Sequence, residues 1–182
     1  CDACHAATGP GTGIQPVKLA PELATKFGPF KDSKDHYFHR VAYSDFVVGA
    51  ALCVTCHDDR SPGPVPIWTS AAEWRKSAQK GTECQTCHMP TLHGEAAKGG
   101  PERSLSNHNF SAGTSKGAAL QEAISLELTV KSPGGKTEAS VTLTNALAGH
   151  ALPTDLPERR LKLVIEGRSR SGAIVARTER TY

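Results

Sequence analysis

The sequence predicts a chain of two regions: short helices and loops packed around a filler that is not polypeptide over residues 1–118, then a small antiparallel β unit over residues 119–182. Three observations lead there. All 6 Cys lie in the first region, inside three C-x-x-C-H units. Regular two-residue alternation of apolar and polar side chains begins only after residue 119. Of the 182 residues, 38% are apolar but only 5% are aromatic, so few large rings are available to fill a core.

The three units are Cys1-Asp2-Ala3-Cys4-His5, Cys53-Val54-Thr55-Cys56-His57 and Cys84-Gln85-Thr86-Cys87-His88, with no Cys left over. A His directly after each of three pairs would arise by chance with a probability of roughly 10⁻⁴, so the pattern carries chemistry. Thiols three residues apart lie about one helical turn from each other, a spacing suited to thioether bonds with the two vinyl groups of a porphyrin. The next residue then lies beneath the iron. The units therefore read as sites for three covalently attached haem c groups, held by Cys1, Cys4, Cys53, Cys56, Cys84 and Cys87, with His5, His57 and His88 as proximal iron ligands. A disulfide framework gives no reason for a His after every pair, and structural zinc wants four ligands where three identical units leave the count odd.

What holds the sixth position of each iron separates electron transfer from catalysis. Met89, the single Met, directly follows His88 and cannot easily reach the opposite face of the same porphyrin. Five His remain for three vacancies: His36, His39, His93, His108 and His150. His36 and His39 are three apart, which on a helix puts them on one face, angled to different targets. His93 falls in a polar Gly-containing stretch read as a loop. His108 has Phe110 close by, a ring able to lie on a porphyrin. His150 follows Gly149, which permits close backbone approach, and precedes Pro153, which stiffens the exit.

Along the first region, Pro10, Gly11, Gly13, Pro16 and Pro21 read as an open loop, and Gly28-Pro29 as a turn. Ser70 and Glu73 form a capping box and Gly81 a stop, predicting a helix over 71–80 that presents Trp74 either to a haem or to ordinary packing. With about 39 residues of chain per macrocycle, the haems are expected to stack on one another and supply the core. In the second region Ile124, Leu126, Leu128 and Val130 alternate with polar residues, the turn Ser132-Pro133-Gly134-Gly135 follows, and Ala139, Val141 and Leu143 alternate in turn. Leu161, Leu163 and Ile165 make a third strand, and Ser171-Gly172 leads into a fourth from Ala173 to Arg177 and beyond. The expected fold is thus a multihaem cytochrome c, mostly short helices and loops around stacked haems, followed by a small Ig-like β unit. Four strands are few for a closed sandwich, so the unit is expected to be incomplete or completed by a neighbour.

Several stretches together resemble one family, the multihaem c-type cytochromes with a haem-rich part and a small β-sandwich, distantly similar to the tetrahaem nitrifier cytochromes and the octahaem hydroxylamine-oxidoreductase group. The stretches are Phe27-Gly28-Pro29-Phe30, His39 to Ser44, Glu73-Trp74 with Ser77, and Cys84 to Pro90. His108 with Phe110, Gly149-His150 with Pro153-Thr154, and Arg159-Arg160-Leu161 complete them. The resemblance implies that His39, His108 and His150 are the distal ligands. It also implies more than three haems in related chains, so that His36 or His93 serves a haem elsewhere. Asp155 departs from the pattern, which commonly has Gly after Pro-Thr.

The expected function is electron transfer through low-spin haems with His on both faces, by a chain that is a wire rather than an enzyme. The chain is expected to meet redox partner proteins and to form a homo-oligomer or dock on a neighbouring haem-bearing subunit, in the limit an extended conduit. The alternative is an oxidoreductase acting on small nitrogen or sulfur compounds at a five-coordinate haem. Haem c is attached outside the cytoplasmic membrane, which implies a periplasmic, cell-surface or extracellular protein. A net charge of +3 points to no nucleic acid, and the longest near-apolar run, Phe46 to Val54, is too short for a transmembrane segment. The chain opens on Cys1 and stops at Tyr182 within a strand, so it reads as processed or incomplete.

Overall fold

Among the described residues, six small pairs of β-strands, not helices, make up most of the architecture. The computed structural model describes residues 1–12, 15–21, 24–60, 65–110 and 118–182; Gly13 of the expected open loop lies outside them. The first C-x-x-C-H unit forms helix α1 (Asp2–His5), which runs into the hairpin β1 (Ala7–Pro10) and β2 (Val17–Leu19). Strand β3 (Thr25–Gly28) pairs in parallel with β4 (Arg40–Tyr43), and between them His36 and His39 close a tight antiparallel bridge. Helices α2 (Asp45–Val48) and α3 (Ala50–Val54) lead into the second unit, followed by the pair β5 (Asp59–Arg60) and β6 (Pro66–Trp68). Helix α4 (Ser70–Trp74) precedes α5 (Cys84–His88), which is the third unit, and then comes the hairpin β7 (Thr91–Glu95) and β8 (Glu102–Ser106). After α6 (Ala118–Ala123) come two longer hairpins, β9 (Ile124–Lys131) with β10 (Glu138–Asn145) and β11 (Lys162–Arg168) with β12 (Ile174–Thr181).

The expected fold class is therefore corrected. Among the described residues there is no helical haem-wrapping architecture: the α-helices have only four to six residues each, and strand pairs link them. The reason lies in length. A strand of two to five residues holds too few side chains for alternation to be visible, and the Gly and Pro that read as an open loop at 10–21 include the ends and turn of a hairpin. The Ig-like unit is corrected too. Its four strands lie where the alternation put them, and the 132–135 turn is a short 3-10 turn with Gly134 and Gly135 at positive φ. They form two separate two-stranded sheets, not two faces of a sandwich.

Almost nothing large is buried. Only Ala6, Ala7, Ala50, Ala71 and Ala123 form a buried apolar set among the described residues. The chain exposes 13281 Å². A folded monomer of this mass would expose roughly 8,500 Å². Two-stranded hairpins are marginal alone in water, and among the described residues no large side chain is buried to hold these pairs together.

Candidate functional site

Each C-x-x-C-H unit sits on one helical turn that places its His over its first Cys. The amide of His5 donates to Cys1 O at 2.8 Å and that of His57 to Cys53 O at 3.0 Å. The second and third units are mounted together. The Glu83 carboxylate accepts the amide N–H of Ala50 at the start of α3, and the Gln85 side chain donates to Gly49 O at 2.9 Å. This brings Cys53 against Cys84. The hydrogen bond from Cys53 pulls the Cys84 thiol down to about 7, while the same bond and burial push Cys53 up. A cavity of about 520 Å³ opens there, lined by Cys53, Cys84, His57, His88 and His150 with Phe110.

The imidazoles fall into pairs. Ring centroids of His5 and His108 are 6.0 Å apart, and those of His88 and His150 are 5.9 Å apart. Two imidazoles bound to opposite sides of one metal, with bonds of roughly 2 Å each, have centroids about 6 Å apart. The protonation of the rings agrees with ligation. His5 Nδ1 lies 2.7 Å from Phe27 O, His108 Nδ1 2.9 Å from Ser106 O and His150 Nδ1 3.0 Å from Ala151 O. A carbonyl only accepts, so each Nδ1 carries the proton and Nε2 keeps the lone pair a metal needs. Burial, with His150, His57 and Arg159 nearby, pushes His88 below its ordinary pKa and keeps it neutral.

His150 is held by a loop pinned at several points. The Glu73 carboxylate accepts from Ala151 N at 2.8 Å, Thr154 Oγ1 at 2.9 Å and Thr69 Oγ1 at 2.7 Å. Burial raises the Glu73 pKa, and these bonds outweigh it, so the net value is lowered. Asn145 Nδ2 donates to His150 O at 2.7 Å. A Cβ on Gly149 would stand 3.0 Å from Gln79 Cβ and 3.1 Å from Trp74 Cδ1, so the close approach expected of this glycine is made against Trp74. Trp74 packs rather than reaching outward: its indole N–H donates to Gln79 O at 2.9 Å and Thr82 O at 3.1 Å, and the expected helix over 71–80 ends at Trp74 as the chain turns under it.

His57 is different. Its ring meets Trp68, at 5.3 Å between centroids, and not another imidazole. Its Nδ1 lies 2.9 Å from Asp155 Oδ2. Asp155, noted in the sequence only as an odd residue, sits at φ 64° with its side chain 10% exposed. Burial raises its pKa, but hydrogen bonds from His57 and Ser70 outweigh that and hold it below the usual value.

The other candidates lie elsewhere. His36 and His39 are on a hairpin bridge, not a helix, with rings 6.0 Å apart; a spacing of three serves either geometry. His36 Nδ1 receives the Phe38 amide at a long 3.4 Å, the opposite tautomer to the paired rings. His93 is on strand β7 opposite Ser104 and exposed, not in a loop. Among the described residues no three His, Cys, Asp or Glu side chains gather into a closed metal centre. The first and third units each bring two thiols and two facing imidazoles, the donors that a macrocycle with its own four nitrogens would ask of a chain; the second unit brings two thiols and one imidazole.

Comparison with family models, curated proteins and solved structures finds no match to this chain. Among the described residues no helix is long and apolar enough to cross a membrane.

Proposed function

We propose that this chain is an exported multihaem c-type cytochrome carrying electrons through three covalent haems with His on both faces, at the periplasm, the cell surface or beyond. The observation that carries the reading is the pairing of a motif His with a distant His at metal-bridging separation, His5 with His108 and His88 with His150, every Nδ1–H of the distant partners being already spent. When bound, haem iron supplies a one-electron couple. At the first and third sites the chain's part is to fill both axial positions, which leaves none for a substrate and suits outer-sphere transfer to redox partner proteins. The touching thiols of the second and third units and their shared cavity support passage between those two sites. The test is intact mass with a pyridine haemochromogen count on protein matured in an exporting, haem-c-competent host. Three haems per chain with a wholly low-spin EPR spectrum are expected; an unmodified mass or disulfide-linked thiols overturn the proposal.

An assembled form is favoured by two features. Leu126, Leu128 and Val130 on one face of β9 are 58%, 56% and 55% exposed, an apolar stripe awaiting a cover. The surplus pair His36 and His39 sits on a protruding hairpin with Tyr37 91% exposed, while His57 has no imidazole facing it among the described residues. A neighbouring copy that lends an imidazole to His57 completes the set. Light scattering showing only monomers of the loaded protein removes this reading.

His57 also supports a second reading, an oxidoreductase of small nitrogen or sulfur compounds at one open iron beside Trp68. Stoichiometric cyanide or nitrite binding to one haem of the native protein selects it; none selects electron transfer alone.

A further inference from the structure

Resting on the haem reading above, we infer that Asp155 is a positioning residue for the second iron: its carboxylate fixes the tautomer and orientation of His57 and strengthens it as a donor, setting this haem at a lower reduction potential than its neighbours. The contrast among the motif histidines carries the inference. His5 gives its Nδ1–H to the neutral carbonyl of Phe27, whereas His57 gives its own to a carboxylate. A charged acceptor draws the shared proton further from the ring, leaves more electron density on Nε2, and so favours the oxidised, more positive iron.

The carboxylate is built in. Oδ1 accepts the amides of Thr69 at 3.0 Å and Ser70 at 2.9 Å, and Oδ2 accepts the Ser70 hydroxyl at 2.9 Å besides His57. Three donors from one turn thus orient the group that orients the imidazole, across 98 positions of sequence. The left-handed backbone at φ 64° aims the side chain and is one that Asp and Asn adopt more readily than other non-glycine residues. Ser70 bonds to the carboxylate rather than to His57, so the trio is not arranged as a hydrolytic triad.

The experiment uses holoprotein at one fixed pH, first counted for haem and then titrated optically as three one-electron components. Asp155→Asn keeps size and backbone preference but removes the charge, and turns an N–H either toward His57 or toward the two amides. The potential of one component should rise by about 59 mV or more, a tenfold or larger shift toward the reduced form for one electron, with one EPR signal displaced and the other two unchanged. Asp155→Glu should return that component toward the native value. Three loaded haems with all components unmoved, or all moved together, overturn the inference, as does a high-spin signal that Asp155→Glu fails to reverse. A wild-type chain that carries no haem overturns the parent proposal instead.

Discussion

His88 and His57 end identical motifs on neighbouring mounts and line one cavity, yet they face different things. His88 meets His150, a second imidazole; His57 meets Trp68 on its ring and Asp155 at its Nδ1. The motif supplies two thiols and one imidazole, and the rest of each site is supplied by chain far away in sequence. The same loop, 149–155, supplies both differences: His150 to one unit and Asp155 to the other. A single segment from the C-terminal β region therefore distinguishes two sites that the sequence writes alike.

The largest test of that contrast is removal of His150. In the loaded protein, His150→Ala should turn one of the three haems high-spin and open it to cyanide, while the component assigned to the second site keeps its potential; EPR with a cyanide titration checks both. An unchanged spectrum would mean that the facing imidazoles are not co-ligands. A subtler version leaves the ligand in place. Gly149→Val places a branched side chain where Gln79 Cβ and Trp74 Cδ1 stand 3.0 and 3.1 Å from an ideal Cβ. Overpacking of this kind costs about 1–3 kcal/mol, and the displaced loop should show a partial high-spin fraction at the same haem together with a lowered thermal midpoint.

How much of this could be read from residues follows from range. The Cys and the motif His declare themselves because their pattern is local, contained in one helical turn. The setting of His150 was readable through Gly149, where a Cβ would crowd Gln79 and Trp74, and that of His108 through nearby Phe110, whose ring meets it at 6.3 Å. Asp155 was visible only as an unexpected residue, because its partner lies 98 positions away and no local pattern encodes that meeting. His36 and His39 misled because a spacing of three satisfies one helical face and one hairpin bridge equally. Ser70 and Glu73 misled in a different way: Thr69 takes the Glu73 carboxylate, whose other oxygen holds Ala151 and Thr154, so a capping pair became an anchor for the loop that carries His150. The strands β9 to β12 were legible because seven or eight residues give alternation room to show; how hairpins associate is written in no single strand.

Glu73 offers a sharper, smaller test, since it holds the His150 end of the loop and touches no motif His. Its folded-state pKa is lowered by the three donors, despite burial. A lowered carboxylate contributes stability above its unfolded value of about 4.3, and that contribution is lost as pH falls through the lower folded value. The third haem should accordingly loosen in acid before the first, seen as high-spin iron appearing below about pH 4. Glu73→Gln should show the same change near neutral pH and flatten the acid dependence. An acid transition identical in Glu73→Gln would assign the lability to the haem carboxylates instead.

The smallest effect tests what the two sites share. Glu83 caps α3 from the residue before α5, so one carboxylate sets the second unit against the third. Replacing it with Ala should cost about 1 kcal/mol, the usual loss for a helix start deprived of its acceptor. The cost should be spread over both sites: denaturant midpoints read at either haem fall together, while the potential difference between them stays as it was. Spectral change confined to one haem would instead show that the common mount is not common, and that the contrast between His57 and His88 begins at the helices rather than at the loop that joins them.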